Sequence, residues 1–181
     1  MMHMNRKMAI VLIITLLLTA AAAGCGVAEE ADLPWGADRD EIVETMGPCE
    51  DEWTPESEEY TVLRYPEQEI LGYRCTISFA FRKGAMFCRM YSIEDRGKGA
   101  FGMIGTELSR IYEGYADDPQ SVVDCLEMME PDMKDVRKQL KSGAVSWQVY
   151  KPAEDTNVIL IHISAKNCTC LYYIQPKDQM E

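Results

Sequence analysis

Two runs rich in β-branched, aromatic and sulfur-bearing residues, Tyr73 to Arg82 and Ala85 to Ile93, have only Lys83-Gly84 between them. A two-residue connection with a glycine in it is a hairpin turn, so the runs pair antiparallel as sheet neighbours. With Arg82 facing Ala85, Phe81 faces Met86, Phe79 faces Cys88 and Ile77 faces Met90. Cys75, Ile77, Phe79 and Phe81 then form one apolar side, while Thr76, Ser78, Arg82 and Arg89 line the other, interrupted by Phe87 and Tyr91. A sheet with such a face needs a layer to cover it, which directs the chain to an α+β fold.

The covering elements are legible on either side of the hairpin. Asp38 is a suitable N-cap with Glu41 three residues on to reach back, Ile42, Val43 and Met46 share a face, and Gly47-Pro48 stops the turn. Glu50 to Glu59 is acidic with Pro55 and is expected as a solvated loop, followed by a strand from Tyr60 to Tyr65 ended by Pro66. Beyond a glycine-rich stretch, Gly97 to Gly105, taken as a linker, Leu108, Ile111, Tyr112 and Tyr115 recur at helical spacing behind Thr106. Two more helices are predicted, one with Val122, Val123, Leu126 and Met129 behind Asp118-Pro119, the other with Met133, Val136 and Leu140 behind Pro131.

Val145 to Tyr150, Asn157 to Ala165 and Cys168 to Gln175 give three more strands, the last two joined at Lys166-Asn167. Ile159, Ile161 and Ile163 share a face with Cys168, Cys170, Tyr172 and Ile174. Trp35-Gly36 followed by Glu41-Ile42 recurs at the same spacing as Phe101-Gly102 followed by Glu107-Leu108. The expected architecture is therefore tandem α-β-β-β halves, 34–95 and 96–176, the second with a helical insertion, forming one curved antiparallel sheet with helices packed on one face.

The N-terminus carries a different kind of signal. Arg6 and Lys7 precede an apolar run from Met8 to Leu18, and small residues lead from Ala20 to Gly24. That is a signal peptide over 1–24, shorter in its apolar part than a membrane-spanning helix requires. Ala22-Ala23-Gly24-Cys25 resembles the lipobox of bacterial lipoproteins, with Ala22 where leucine is usual. The resemblance implies acyl chains on Cys25, a short tether over 25–33, and a domain held by lipid at the extracytoplasmic face of the cell membrane. Loss of Arg6 and Lys7 leaves 16 basic and 30 acidic residues, a formal charge of −14. Such a surface repels phosphate backbones, so nucleic acid is not an expected partner.

The segment from Trp35 through Gly36, Asp38, Glu41, Ile42 and Gly47 to Pro48, with Gly72, Phe81, Lys83-Gly84, Trp147 and Thr156, resembles a group of bacterial lipoproteins of unassigned function. The opening is similar to that of the SmpA/OmlA-type lipoprotein of the outer-membrane barrel-assembly machinery, and the tandem layout to the β-lactamase inhibitor protein fold. Where that group has a Gly-Pro break after its second helix, this chain has Gly114-Tyr115-Ala116 and an insertion through residue 142. The relatives bind proteins, which implies a non-catalytic interaction module of the cell envelope with an unidentified envelope protein as partner. Phe87, Tyr91, His162, Leu171 and Tyr173 are the residues expected to make the contact, on the open face of the sheet.

No catalytic constellation, metal set or cofactor motif is legible. His162 is the one histidine beyond the leader and has no partner motif, and by alternation it points away from the core face. Glu50, Asp51, Glu52, Glu56, Glu58 and Glu59 lack the alternation and glycine of a calcium loop. Gly97, Gly99, Gly102 and Gly105 do not follow a strand in a phosphate-binding pattern. Six cysteines follow Cys25: Cys49, Cys75, Cys88, Cys125, Cys168 and Cys170. An envelope location permits disulfides, and free thiols are the alternative, which keeps a thiol or metal sensor as the second functional reading. Cys168 and Cys170 share a strand face about two rises apart, a spacing from which no ordinary disulfide between them is expected.

Overall fold

The computed structural model describes residues 33–54, 60–112, 114–130 and 132–179. The leader, Cys25 and most of the tether lie outside them. One open antiparallel sheet of seven strands, in the order β1-β2-β3-β4-β7-β6-β5, organises the α+β domain. The strands are β1 (Asp51–Trp53), β2 (Thr61–Ile70), β3 (Tyr73–Arg82), β4 (Ala85–Glu94), β5 (Val145–Ala153), β6 (Thr156–Ile163) and β7 (Cys168–Ile174). Four α-helices accompany them among the described residues: α1 (Arg39–Met46), α2 (Gly99–Ile111), α3 (Pro119–Met129) and α4 (Val136–Ser142).

Helices lie on both faces of the sheet, not on one. Alternation along β6 sends Val158 and Leu160 to one side and Ile159, Ile161 and Ile163 to the other, and along β7 it separates Leu171 from Cys170, Tyr172 and Ile174. Ile42 of α1 and Ala100, Ile104 and Leu108 of α2 close the first side. Val122, Val123, Leu126 and Met129 of α3 and Val136 of α4 close the second. Both faces are apolar, so both must leave water, and at roughly 25 cal/mol per Å² of apolar surface neither could stay bare without large cost. The helical insertion supplies the second layer.

The first helix forms as its caps dictate. Asp38 Oδ1 accepts from the backbone N–H of Asp40 and Glu41 at 2.9 and 3.0 Å, and Glu41 Oε2 accepts from the Asp38 N–H at 2.8 Å. Asp118 does the same for α3 through Ser121. The β6–β7 pairing puts Ile159, Ile161, Ile163, Cys170, Tyr172 and Ile174 on one face, as the alternation predicts.

Four expectations change. A bulge at Phe87 shifts the β3–β4 register by one beyond the turn: Phe81 faces Met86, but Ala80 faces Cys88, Phe79 faces Arg89 and Ile77 faces Tyr91. Pro66 does not end β2, because the strand runs on through a second irregularity between Tyr65 and Gln68, where no ladder N–H is asked of the proline. Asp51–Trp53, expected in a loop, pairs with Arg64, Leu63 and Val62 as a short edge strand. The glycine-rich segment is not a linker but the first half of α2, which starts at Gly99. Phe101-Gly102 therefore sits inside a helix while Trp35-Gly36 lies in a turn ahead of one, and the two segments are not structural equivalents.

Candidate functional site: a dithiol on an inner strand

β7 is paired on both sides, with β4 and with β6. Its first three residues, Cys168-Thr169-Cys170, alternate across the sheet, so both thiols face the α3 side and the Thr169 hydroxyl faces the α2 side. The sulfurs approach more closely than strand spacing suggests. Cys168 Sγ lies 3.5 Å from Cys170 Sγ and 3.3 Å from Ser92 Oγ, which in turn is 3.8 Å from Cys170 Sγ. Two rises fix the Cα separation, whereas the side-chain torsions remain free to bring the sulfurs together. Cys168 is half-buried and Cys170 is buried.

The two thiols are electrostatically unlike. Hydrogen bonding from Cys170 pulls the Cys168 pKa below the ordinary thiol value against the opposing effect of burial, with further help from Ser92 and the Ile93 N–H. Cys170, hydrogen-bonded to Cys168 and buried, is pushed far up. Cys168 is thus the more easily deprotonated of the two and Cys170 the reserve thiol. Beside them Lys166 pairs with Glu130 at the end of α3, and Tyr172 Oη donates to the same carboxylate at 3.4 Å. A thiolate is the nucleophile of cysteine chemistry, and a second thiol within reach is what resolves a mixed disulfide.

Behind Thr169 lies a second buried polar group. Thr169 Oγ1 donates to Asp95 Oδ2 at 2.7 Å and stands 3.0 Å from His162 Nδ1. Because the hydroxyl spends its proton on Asp95, Nδ1 is the protonated nitrogen of the ring and donates to it. Asp95 also accepts from the N–H groups of Gly99 and Phe101 at 2.9 and 3.1 Å, which caps α2. Burial would raise the Asp95 pKa, but the Thr169 and backbone donors outweigh it and hold the carboxyl below its usual value. Burial lowers the His162 pKa, opposed by Asp95 and reinforced by Lys98, so the ring favours its neutral form.

The five residues expected to form a contact face do not form one. Tyr91, His162 and Leu171 are buried on the α1/α2 side, where Tyr173 is half-buried under the Arg89 guanidinium, and Phe87 is buried on the opposite side. Alternation placed His162 on the correct side, but α2 covers that side, with Phe101 edge-on to the imidazole at 6.4 Å between ring centroids. Among the described residues the exposed large apolar side chains are instead Trp53, Leu71, Met103, Ile111 and Tyr115, spread over different elements.

Of the remaining cysteines, Cys75, Cys88 and Cys125 are buried as small apolar side chains, and burial pushes the thiols of Cys88 and Cys125 up. None of Cys49, Cys75, Cys88, Cys125, Cys168 and Cys170 is in a disulfide among the described residues. Asp51 and Glu52 of the acidic segment pair with Arg64 and Arg39. A groove of about 890 Å³ between α3, the end of the β5–β6 hairpin and the C-terminal segment is lined by Asp124, Lys151, Glu154 and Asn157 among others, and none of the dithiol's groups lines it. No described helix is long and apolar enough to cross a membrane. No protein-family model, curated protein or solved structure matches the chain.

Proposed function

We propose that this chain is a lipid-anchored protein of the cell envelope, held at the extracytoplasmic face through Cys25, whose Cys168–Cys170 pair is a thiol redox sensor. The observation that carries the reading is the 3.5 Å approach of two chemically unequal sulfurs on one strand, one of them reachable from solvent. A lowered-pKa cysteine beside a resolving thiol is the arrangement that exchanges with disulfides and responds to the redox state of its compartment. Arg6, Lys7, the apolar run and Ala22-Ala23-Gly24-Cys25 support the anchoring. The sheet order, with β4 beside β7, supports the finer view that residues 34–95 and 96–176 are two α-β-β-β halves joined at their last strands.

The test is iodoacetamide alkylation of the folded domain across pH, mapped by peptide mass spectrometry. Cys168 should react first, with a midpoint below the ~8.5 of a free thiol, and oxidant should protect it and Cys170 together. Both cysteines inert to alkylation and indifferent to oxidant would dispose of the sensor. An unmodified residue 25, or the leader still attached, would dispose of the anchor.

A further inference from the structure

Thr169 belongs to two sites at once. It is the middle residue of the Cys168-Thr169-Cys170 strand segment, and its hydroxyl is the donor that holds Asp95 in place beneath α2. We infer that closing the Cys168–Cys170 pair into a disulfide is transmitted through Thr169 and Asp95 to the first turn of α2, which loosens in response. This rests on the redox reading above.

The chemistry closes with a small dialkyl disulfide as oxidant. The Cys168 thiolate attacks one of its sulfurs, the S–S bond breaks, and the departing thiolate takes a proton. Cys170 then gives up its proton and attacks Cys168 Sγ in the mixed disulfide, expelling the second small thiol. Two protein thiols are oxidised by two electrons to one disulfide, and the small disulfide is reduced to two thiols.

Closure cannot leave Thr169 where it is. Residues two apart in a strand stand about 6.8 Å apart at Cα, the outer limit for a disulfide, and the sulfurs must come from 3.5 Å to about 2 Å. The backbone therefore has to pleat more sharply at the residue between them. Thr169 is buried and tied at short range to Asp95 and His162, and Asp95 is tied again to this segment by its N–H to Asn167 O at 2.7 Å.

The displacement goes to the weakest neighbour. β7 is hydrogen-bonded along both edges, whereas α2 opens on Gly97-Lys98-Gly99, with Lys98 in the left-handed region at φ 57° and offering no side-chain cap. Glycines give that turn little intrinsic helicity, so it depends on the Asp95 carboxylate for its exposed N–H groups. The element with the least local stability opens first.

Hydrogen exchange of the full domain, before and after equilibration with oxidised glutathione, tests this. Loss of two hydrogen masses from the peptide holding residues 168–170 reports closure. On closure, amides of residues 99–102 should exchange roughly tenfold faster while β3 stays protected. Thr169→Val should oxidise as before with α2 already fast and no longer responsive, and Thr169→Ser, which keeps the hydroxyl, should respond like the parent. Closure without any change at 99–102 would overturn the transmission and leave the sensor standing. No closure at all would overturn both. If Thr169→Val does not fold, the parent and Thr169→Ser decide by the same criterion.

Discussion

Asp95→Ala is the substitution that most directly tests how α2 is held. The carboxylate accepts three hydrogen bonds, from Gly99 N–H, Phe101 N–H and Thr169 Oγ1, while its residue is 7% exposed. An exposed N-cap lost to alanine costs about 0.5–2 kcal/mol, and hydrogen bonds to a charged group contribute about 1.5–3 kcal/mol each. The three share one desolvation penalty and are not additive, so we expect a loss of about 3 kcal/mol, above the range of an exposed cap. In a urea titration with a slope near 2 kcal/mol/M this moves the midpoint down by about 1.5 M. Asp95→Asn keeps the shape but must turn an amide N–H toward one of the donors, and should lose roughly half as much.

The pH dependence supplies an independent check. The folded pKa of Asp95 is depressed, so as pH falls the unfolded chain binds the proton first and stability declines. The contribution is complete above the unfolded value of about 4 and disappears as pH falls through the lower folded value. Asp95→Asn should lack this part of the acid loss. A destabilisation below about 1 kcal/mol for Asp95→Ala, or an acid profile unchanged in Asp95→Asn, would refute the view that this carboxylate holds the helix.

Four further outcomes are expected. Gly102→Ala, exposed in α2 with open space at the new Cβ, should stabilise by about 0.5–1 kcal/mol in thermal or urea unfolding. Gly105→Ala should fall at least about 1 kcal/mol below it, because its Cβ would sit 2.5 Å from the Gln148 Oε1 that accepts from Tyr150. Asp118→Ala should cost about 1–2 kcal/mol. The Lys151 hydrogen bond holds the Asp118 carboxyl down at about 2, so wild-type stability should fall between pH ~4 and ~2 while the variant lacks that slope. Tyr150→Phe, which removes a buried hydroxyl 2.8 Å from Gln148 Oε1 and 3.0 Å from Ser109 Oγ, should cost about 1–2 kcal/mol by the same assay.

The strands were legible because period-two patterns were strong, and the capped helices because Asp38 and Asp118 announce themselves locally. What stayed hidden was nonlocal. Ala100, Ile104 and Leu108 do form a helical stripe, but Gly99, Gly102 and Gly105 within it lower the propensity that sequence reading relies on. The stripe folds because Asp95, four residues ahead of Gly99, caps it from the end of β4 and because Gly105 lets α2 sit close against Gln148. Neither fact is a property of the segment itself. The Phe87 bulge was hidden for a similar reason: the two-residue turn fixes the register only as far as the strand keeps strict alternation, and the bulge breaks it within two residues.

The expected contact face failed on one inference, while the dithiol was legible in part. Treating the sheet as covered on one side left Phe87, Tyr91, His162, Leu171 and Tyr173 free, yet α3 and α4 carry their own apolar stripe that needs a sheet face, so the second layer was implied by the helices already in hand. For Cys168 and Cys170, alternation gives one face and no disulfide between them, and both hold; the close approach of the two sulfurs is what the pattern does not show. Side-chain torsions bring them to 3.5 Å, and Ser92, 76 residues away in sequence, completes the group. Cys168 and Cys170 thus bring their sulfurs closer than their Cα spacing suggests, because side-chain torsions on one strand face decide where they meet.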